Sequence, residues 1–161
     1  MKLVPLLQTP TAWSGVAERF AVHVFEGHVT LQQMDQFELV GDTWLARHPG
    51  KLVELAIIYP SDSRMSAEER KRMARVIERW QHQRVAACTV ILATGMLGAM
   101  HRSVLTGLLM LAPPPHPAKV FGTIPDAVEW LTPHVRSLSA QLAPASLHAA
   151  VADFCDAFKA R

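Results

Sequence analysis

Residues 118–131, AKVFGTIPDAVEWL, decide how this chain is read. A short β-prone run, Lys119 to Gly122, meets a polar turn and then the start of an amphipathic helix at Asp126 to Leu131. Three strand-then-helix units of similar size precede it, so the stretch closes a repeating β-α alternation. Such alternation, with loops of a few residues, predicts right-handed crossovers and a partly parallel sheet. The expected fold is an α/β sandwich of about four strands over residues 18–132, with helices mainly on one face. Residues 1–17 form a lead-in or edge strand before it, and residues 133–161 a C-terminal helical extension after it.

The earlier units carry the same signals. Residues 19–30 alternate, with Phe20, Val22 and Val24 on one face and a turn at Gly27, which reads as one strand or a tight hairpin. Thr30 followed by Gln33 is a capping box, and Leu31, Met34, Phe37, Trp44 and Leu45 recur at helical spacing until His48-Pro49-Gly50. Residues 52–59 are apolar except Glu54, as in a strand buried on both faces. Ser66 and Glu69 cap the next helix, whose inner stripe is Met73, Val76, Ile77 and Trp80. Residues 85–93 are a third buried strand. Thr94-Gly95 then turns into a helix over 96–111, apolar nearly all round at its end. After Pro133 two further helical patterns appear, the cleaner marked by Leu147, Val151, Phe154 and Phe158.

Bulk properties narrow the function classes. With 161 residues the chain suits one domain with a core of its own. A net charge of +2 with acids and bases interleaved, as in Glu68-Glu69-Arg70-Lys71-Arg72, argues against a nucleic-acid surface. The two cysteines, Cys88 and Cys155, read as buried free thiols of a cytoplasmic protein. Met1-Lys2 precedes no signal-peptide pattern, and the most apolar segment, residues 104–112, is about half the length a membrane span needs.

Several phrases resemble the STAS domain of sulfate transporters and anti-sigma-factor antagonists, together with its SpoIIAA-like and lipid-binding relatives. Phe25-Glu26-Gly27-His28-Val29-Thr30 looks like that family's strand-glycine-helix opening, and Pro49-Gly50-Lys51 with the run after it like its central strand. Ser103-Val104-Leu105-Thr106-Gly107-Leu108 is similar to the family's L-x-x-x-G-L helix end, and residues 120–131 resemble its closing strand and helix. The resemblance covers roughly residues 19–132 and is distributed rather than concentrated in one motif. It implies a regulatory domain switched by a serine in Asp-Ser-Ser-Gly, at the N-terminus of the helix after the central strand. Asp62-Ser63 matches the first half of that motif, whereas Arg64-Met65 departs from the Ser-Gly that should follow, in a longer loop.

The candidate switch or partner contact is therefore Asp62, Ser63, Arg64 and Ser66. A helix N-terminus favours phosphate or an anionic partner, and Arg64 could add a charge-assisted contact. The plainer reading of Ser66 is a helix cap. A second candidate is the apolar surplus of Met96, Leu97, Met100, Val104, Leu108 and Met110. Three readings stay open for it: cover by the C-terminal helix, self-association, or a groove for a protein partner or lipid-like ligand.

Chemistry-bearing patterns are absent. Eight histidines have no metal-ligand spacing, Thr94-Gly95-Met96-Leu97-Gly98 lacks the Lys-Ser/Thr of a phosphate loop, and no Gly-x-Ser-x-Gly occurs. The expectation is a non-enzymatic regulatory or protein-interaction module without cofactor or metal, acting on a protein partner or on itself. The alternatives are a small-molecule or lipid-binding domain and, last, an enzyme.

Overall fold

A computed structural model describes residues 1–62, 65–139 and 143–161. Its elements run β1 (Val4–Gln8), β2 (Ala12–Ala17), β3 (Phe20–Phe25), α1 (Leu31–Arg47), β4 (Leu52–Ile58) and α2 (Ala67–Arg79). They continue with a 3-10 turn at Gln81–Gln83, β5 (Arg84–Ile91), α3 (Gly95–Leu111), β6 (Ala118–Phe121), α4 (Ile124–Leu138) and α5 (Pro144–Lys159). The fold is α/β, as the alternation predicts.

The sheet has six strands, against the expected four, in the order β1-β2-β3-β4-β5-β6. The first three pair antiparallel, and β3 through β6 pair parallel. Both additional strands come from the lead-in. Sequence periodicity misses β2 because Ser14-Gly15 interrupts it, and the interruption has a tertiary cause. A Cβ on Gly15 would lie 2.7 Å from the Phe154 ring of α5, so the helix packs directly on the strand backbone.

Alternation along the strands divides the sheet into two faces. Phe20, Val22 and Val24, then Val53, Leu55 and Ile57, then Ala86, Cys88 and Val90 point to one side and form the main core. That core is closed by Val128, Leu131 and Val135 of α4 and by Leu147, Val151, Phe154 and Phe158 of α5. Trp13 sits edge-on to Phe154 and Phe158 at 5.8 and 5.6 Å, and Tyr59 stacks on Phe158 at 5.9 Å. Helices therefore cover both faces, not mainly one.

On the other face Met34 and Phe37 of α1 and Trp80 after α2 pack over Phe25 and His23. Right-handed crossovers put α3 in this same layer. Its Arg102 reaches within 3.4 Å of where a Cβ on Gly122 would stand, while neighbouring Phe121 turns the opposite way against Trp130 of α4. The helix after β6 also passes through Pro133 and ends at Leu138, where the sequence suggests a break at the proline. Its start is strongly set: Thr123 accepts from the Asp126 N–H, and Pro125 lies in the first turn.

Phe158 is fully buried and packs against the rings of Trp13 on β2 and Tyr59 just past β4. Phe158→Ala should lower stability by about 3–5 kcal/mol, a large share of the roughly 5–15 kcal/mol of an ordinary domain. Urea denaturation followed by circular dichroism measures it; a loss under about 1 kcal/mol would mean that α5 is not part of the core.

Candidate functional site

Under α1 and α2 the sheet buries a diagonal chain of polar side chains, one from each of four adjacent strands. Ser14 of β2 stands opposite His23 of β3, with its Oγ 3.0 Å from His23 Nδ1. His23 Nε2 lies 3.8 Å from Glu54 Oε2 on β4, and the same oxygen accepts from Arg84 Nε of β5 at 2.7 Å. Arg84 Nη1 then donates to the Ile77 carbonyl of α2 at 2.7 Å, tying the sheet to the helix above it. Burial raises the Glu54 carboxyl's pKa, but the Arg84 guanidinium and the His23 contact outweigh it and hold the group at about 2.

A serine, a histidine and a carboxylate in contact invite comparison with a nucleophile-base-acid set. The surroundings do not support that chemistry. Ser14 lies in mid-strand, laddered to β1 and β3, and is 2% exposed. The cavity beside it, roofed by Phe37, Trp44 and Trp80, measures about 40 Å³, room for a water or two but not for an acyl substrate. Glu54 is committed to Arg84. The chain works as a clasp between sheet and helices, and Gly41 belongs to it: a Cβ there would lie 2.5 Å from the Trp80 ring. Sequence reading missed the clasp except for one signal, Glu54 alone in the apolar run of β4.

Ion pairs join α1 and α2 above the clasp. Arg72 pairs with Asp35 at 2.8 Å and with Glu38, Arg79 pairs with Asp42 at 2.8 Å, and Trp80 Nε1 donates to Asp42 at 2.9 Å. The Arg79 hydrogen bond holds the Asp42 carboxyl below its ordinary range. The exposed Arg79–Asp42 pair adds little by itself, and the less exposed Arg72–Glu38 contact helps to fix helix register.

Of the candidate switch, Ser63 and Arg64 lie outside the described residues, and Asp62 is exposed at the carboxyl end of β4. Ser66 is the N-cap of α2 in a reciprocal box: Glu69 N donates to Ser66 Oγ at 3.2 Å, and Ser66 N donates to Glu69 Oε2 at 2.7 Å. His28 Nε2 approaches the other Glu69 oxygen at 2.8 Å. The Ser66 hydroxyl is thus engaged, and a phosphate on it would face the Glu69 carboxylate.

The apolar candidates all sit on α3, and all face outward. Met96 is 89% exposed, Met110 79% and Leu111 85%, while Leu97, Met100, Val104 and Leu108 lie between 53% and 58%. Only Gly98 of this helix is buried, where a Cβ would meet the Ala93 carbonyl oxygen at 1.9 Å. The helix is held by Arg102, folded beneath it to donate to the Ile91 and Ala93 carbonyls at 3.2 and 2.9 Å. The C-terminal helix does not cover this surface, because Leu147, Val151, Phe154 and Phe158 are spent on the opposite face of the sheet.

Cys88 and Cys155 are free and buried, and burial raises both thiol pKa values, which keeps them protonated and poorly nucleophilic. No cluster of three His, Cys, Asp or Glu suited to a metal occurs among the described residues. None of the described helices is long and apolar enough to cross a membrane. Compared with protein-family models, curated proteins and solved structures, the chain shows no significant match.

Two measurements check these assignments. The Glu54 carboxyl's pKa lies below its ordinary 4.5, so ionised Glu54 stabilises the fold fully above that range. The contribution, roughly 3 kcal/mol, should be lost as pH falls from about 4.5 towards 2. Urea midpoints across that window should show the loss, and Glu54→Gln should lower stability at neutral pH while flattening the acid limb; an unchanged limb would assign it to other carboxylates. Separately, Ser66→Ala should cost about 1 kcal/mol, the usual value of an N-cap. No loss would mean that the box contributes nothing.

Proposed function

We propose that this chain is a non-catalytic regulatory or interaction module of STAS-like type that acts by protein contact, with the outward face of α3 as its contact surface. The observation that carries the reading is the exposure of seven large apolar side chains along one helix whose own fold leaves them uncovered. Soluble monomers seldom keep so continuous an apolar surface in water, whereas interaction sites do. The resemblance of two phrases supports the STAS-like type. Residues 25–30 carry the chain from the end of β3 to the cap of α1, and residues 120–131 from β6 into α4. The loop before α2 and the start of α3 both leave the carboxyl ends of neighbouring parallel strands, the edge where α/β sheets collect their ligands. A partner on α3 would therefore also sense Asp62 and the Ser66 cap.

Catalysis is disfavoured by the engagement of Ser14, His23 and Glu54 in the clasp. A lipid carrier would need several hundred Å³ of enclosed apolar space; the cavity beneath α1 and α2 holds about 40 Å³, and the larger clefts of about 680 Å³ along β1 and about 700 Å³ beside Trp13 and Arg161 are open to solvent and partly lined by charged residues.

A benzophenone amino acid placed at position 104 in the full chain, irradiated in the native cells, tests the reading. The expected result is one discrete protein adduct, to a copy of itself or to another chain, that Leu108→Asp abolishes and that the same probe at exposed Glu129 on α4 does not give. No adduct at 104, or the same smear at both positions, would sink it.

A further inference from the structure

Resting on that reading, we infer that the occupant of the α3 face is a second copy of this chain, packed helix against helix about a twofold axis. The area fits a dimer. The seven exposed apolar residues present roughly 900 Å² per copy, beyond the few hundred Å² of ordinary monomer patches and close to the ~800 Å² that each partner brings to a standard interface.

The charge pattern favours a like partner. Residues 95–111 contain no Asp, Glu or Lys, and the one arginine is turned under the helix onto the Ile91 and Ala93 carbonyls. Apart from the exposed His101, the helix thus offers no outward titratable side chain by which to select a partner of complementary sign. Two copies can meet across it without opposing like charges.

The relief of the helix is self-complementary. Met96, Met100, Val104 and Leu108 recur every four residues and make a raised ridge. Beside it runs a row of small residues at the same spacing, Ala99, Ser103 and Gly107. In a twofold pairing the ridge of each copy enters the small-residue row of the other, which is the isologous arrangement of closed dimers.

Gly107 supplies an independent observation. A glycine inside a helix is costly relative to alanine, and it persists where something must come close. For Gly98 the reason is inside the chain, the Ala93 carbonyl oxygen 1.9 Å from a Cβ. At Gly107 a Cβ would meet nothing within 4 Å. No contact among the described residues calls for glycine there, and a helix arriving from outside would.

The test is sedimentation equilibrium on the full purified chain from about 0.1 to 100 µM. Wild type should show a concentration-dependent mass rising to about 36 kDa, twice 17.8 kDa. Gly107→Leu should weaken the dimer at least tenfold while leaving the monomer's unfolding midpoint unchanged or higher, since the added side chain enters open space and removes a helix glycine. Met100→Asp with Leu108→Asp should give a 17.8 kDa monomer with an unaltered circular dichroism spectrum. A wild-type monomer at every concentration would overturn the inference, as would a dimer untouched by Gly107→Leu. If that monomer still gave a heterologous adduct from position 104, self-association would fail while the contact-surface reading stood; with no adduct, both would fail.

Discussion

Strands β3, β4 and β5 are buried on both sides, one side wholly apolar and the other mixing apolar residues with His23, Glu54 and Arg84, and the rest of the molecule is arranged to keep both sides from water. Val53, Leu55 and Ile57 need one cover, and Leu52, with the flank of Glu54, needs another. A single helical layer cannot meet that demand, because a central parallel strand left bare on one face would expose several large side chains at about 25 cal/mol per Å². The chain meets it by sending α1 and α2 over one face and then, after β6, folding α4 and α5 back over the other. Phe154 and Phe158 complete the second cover, close enough to the sheet that β2 needs glycine at position 15.

That division of labour explains why α3 is bare. The crossover from β5 to β6 places it at the far side of the α1/α2 layer, over the short last strand, where little sheet remains to be covered. The two C-terminal helices are committed to the opposite face by their own apolar stripes. Arg102 against two strand-end carbonyls and the close approach at Gly98 hold α3, beside the half-buried Leu105 and Leu109. A helix attached in this way can carry its apolar residues outward without loss to the domain's own core.

The buried polar chain has a different character. Ser14, His23, Glu54 and Arg84 are not adjacent in sequence and belong to no motif; the register of four strands brings them together. Buried charges of this kind cost desolvation and are retained where they specify an arrangement. Here the arrangement is the docking of α2 on the sheet through the Ile77 carbonyl. Catalytic constellations are built from the same residue types, and access separates the two uses: a mid-strand serine under three aromatic rings has none.

Local patterns were enough to place α1, β4, α2, β5, α3 and β6, since each is bounded by a cap, a glycine or a proline and fills one hydrophobic period. The capping boxes at Thr30 and Ser66 were legible for the same reason, being formed within three residues. The apolar surplus on residues 96–111 could be counted in the sequence, but its direction could not, because a helix apolar nearly all round carries no mark of which side meets the sheet. Strand β2 was hidden because Ser14 and Gly15 are chosen by partners on β3 and α5, distant in the chain. Sequence alone thus determined the elements and their alternation, which depend on contacts within one turn or one strand. Tertiary structure alone decided the second helical layer, the clasp through Glu54 and the exposure of α3, because each depends on which distant surfaces compete for the same face of the sheet.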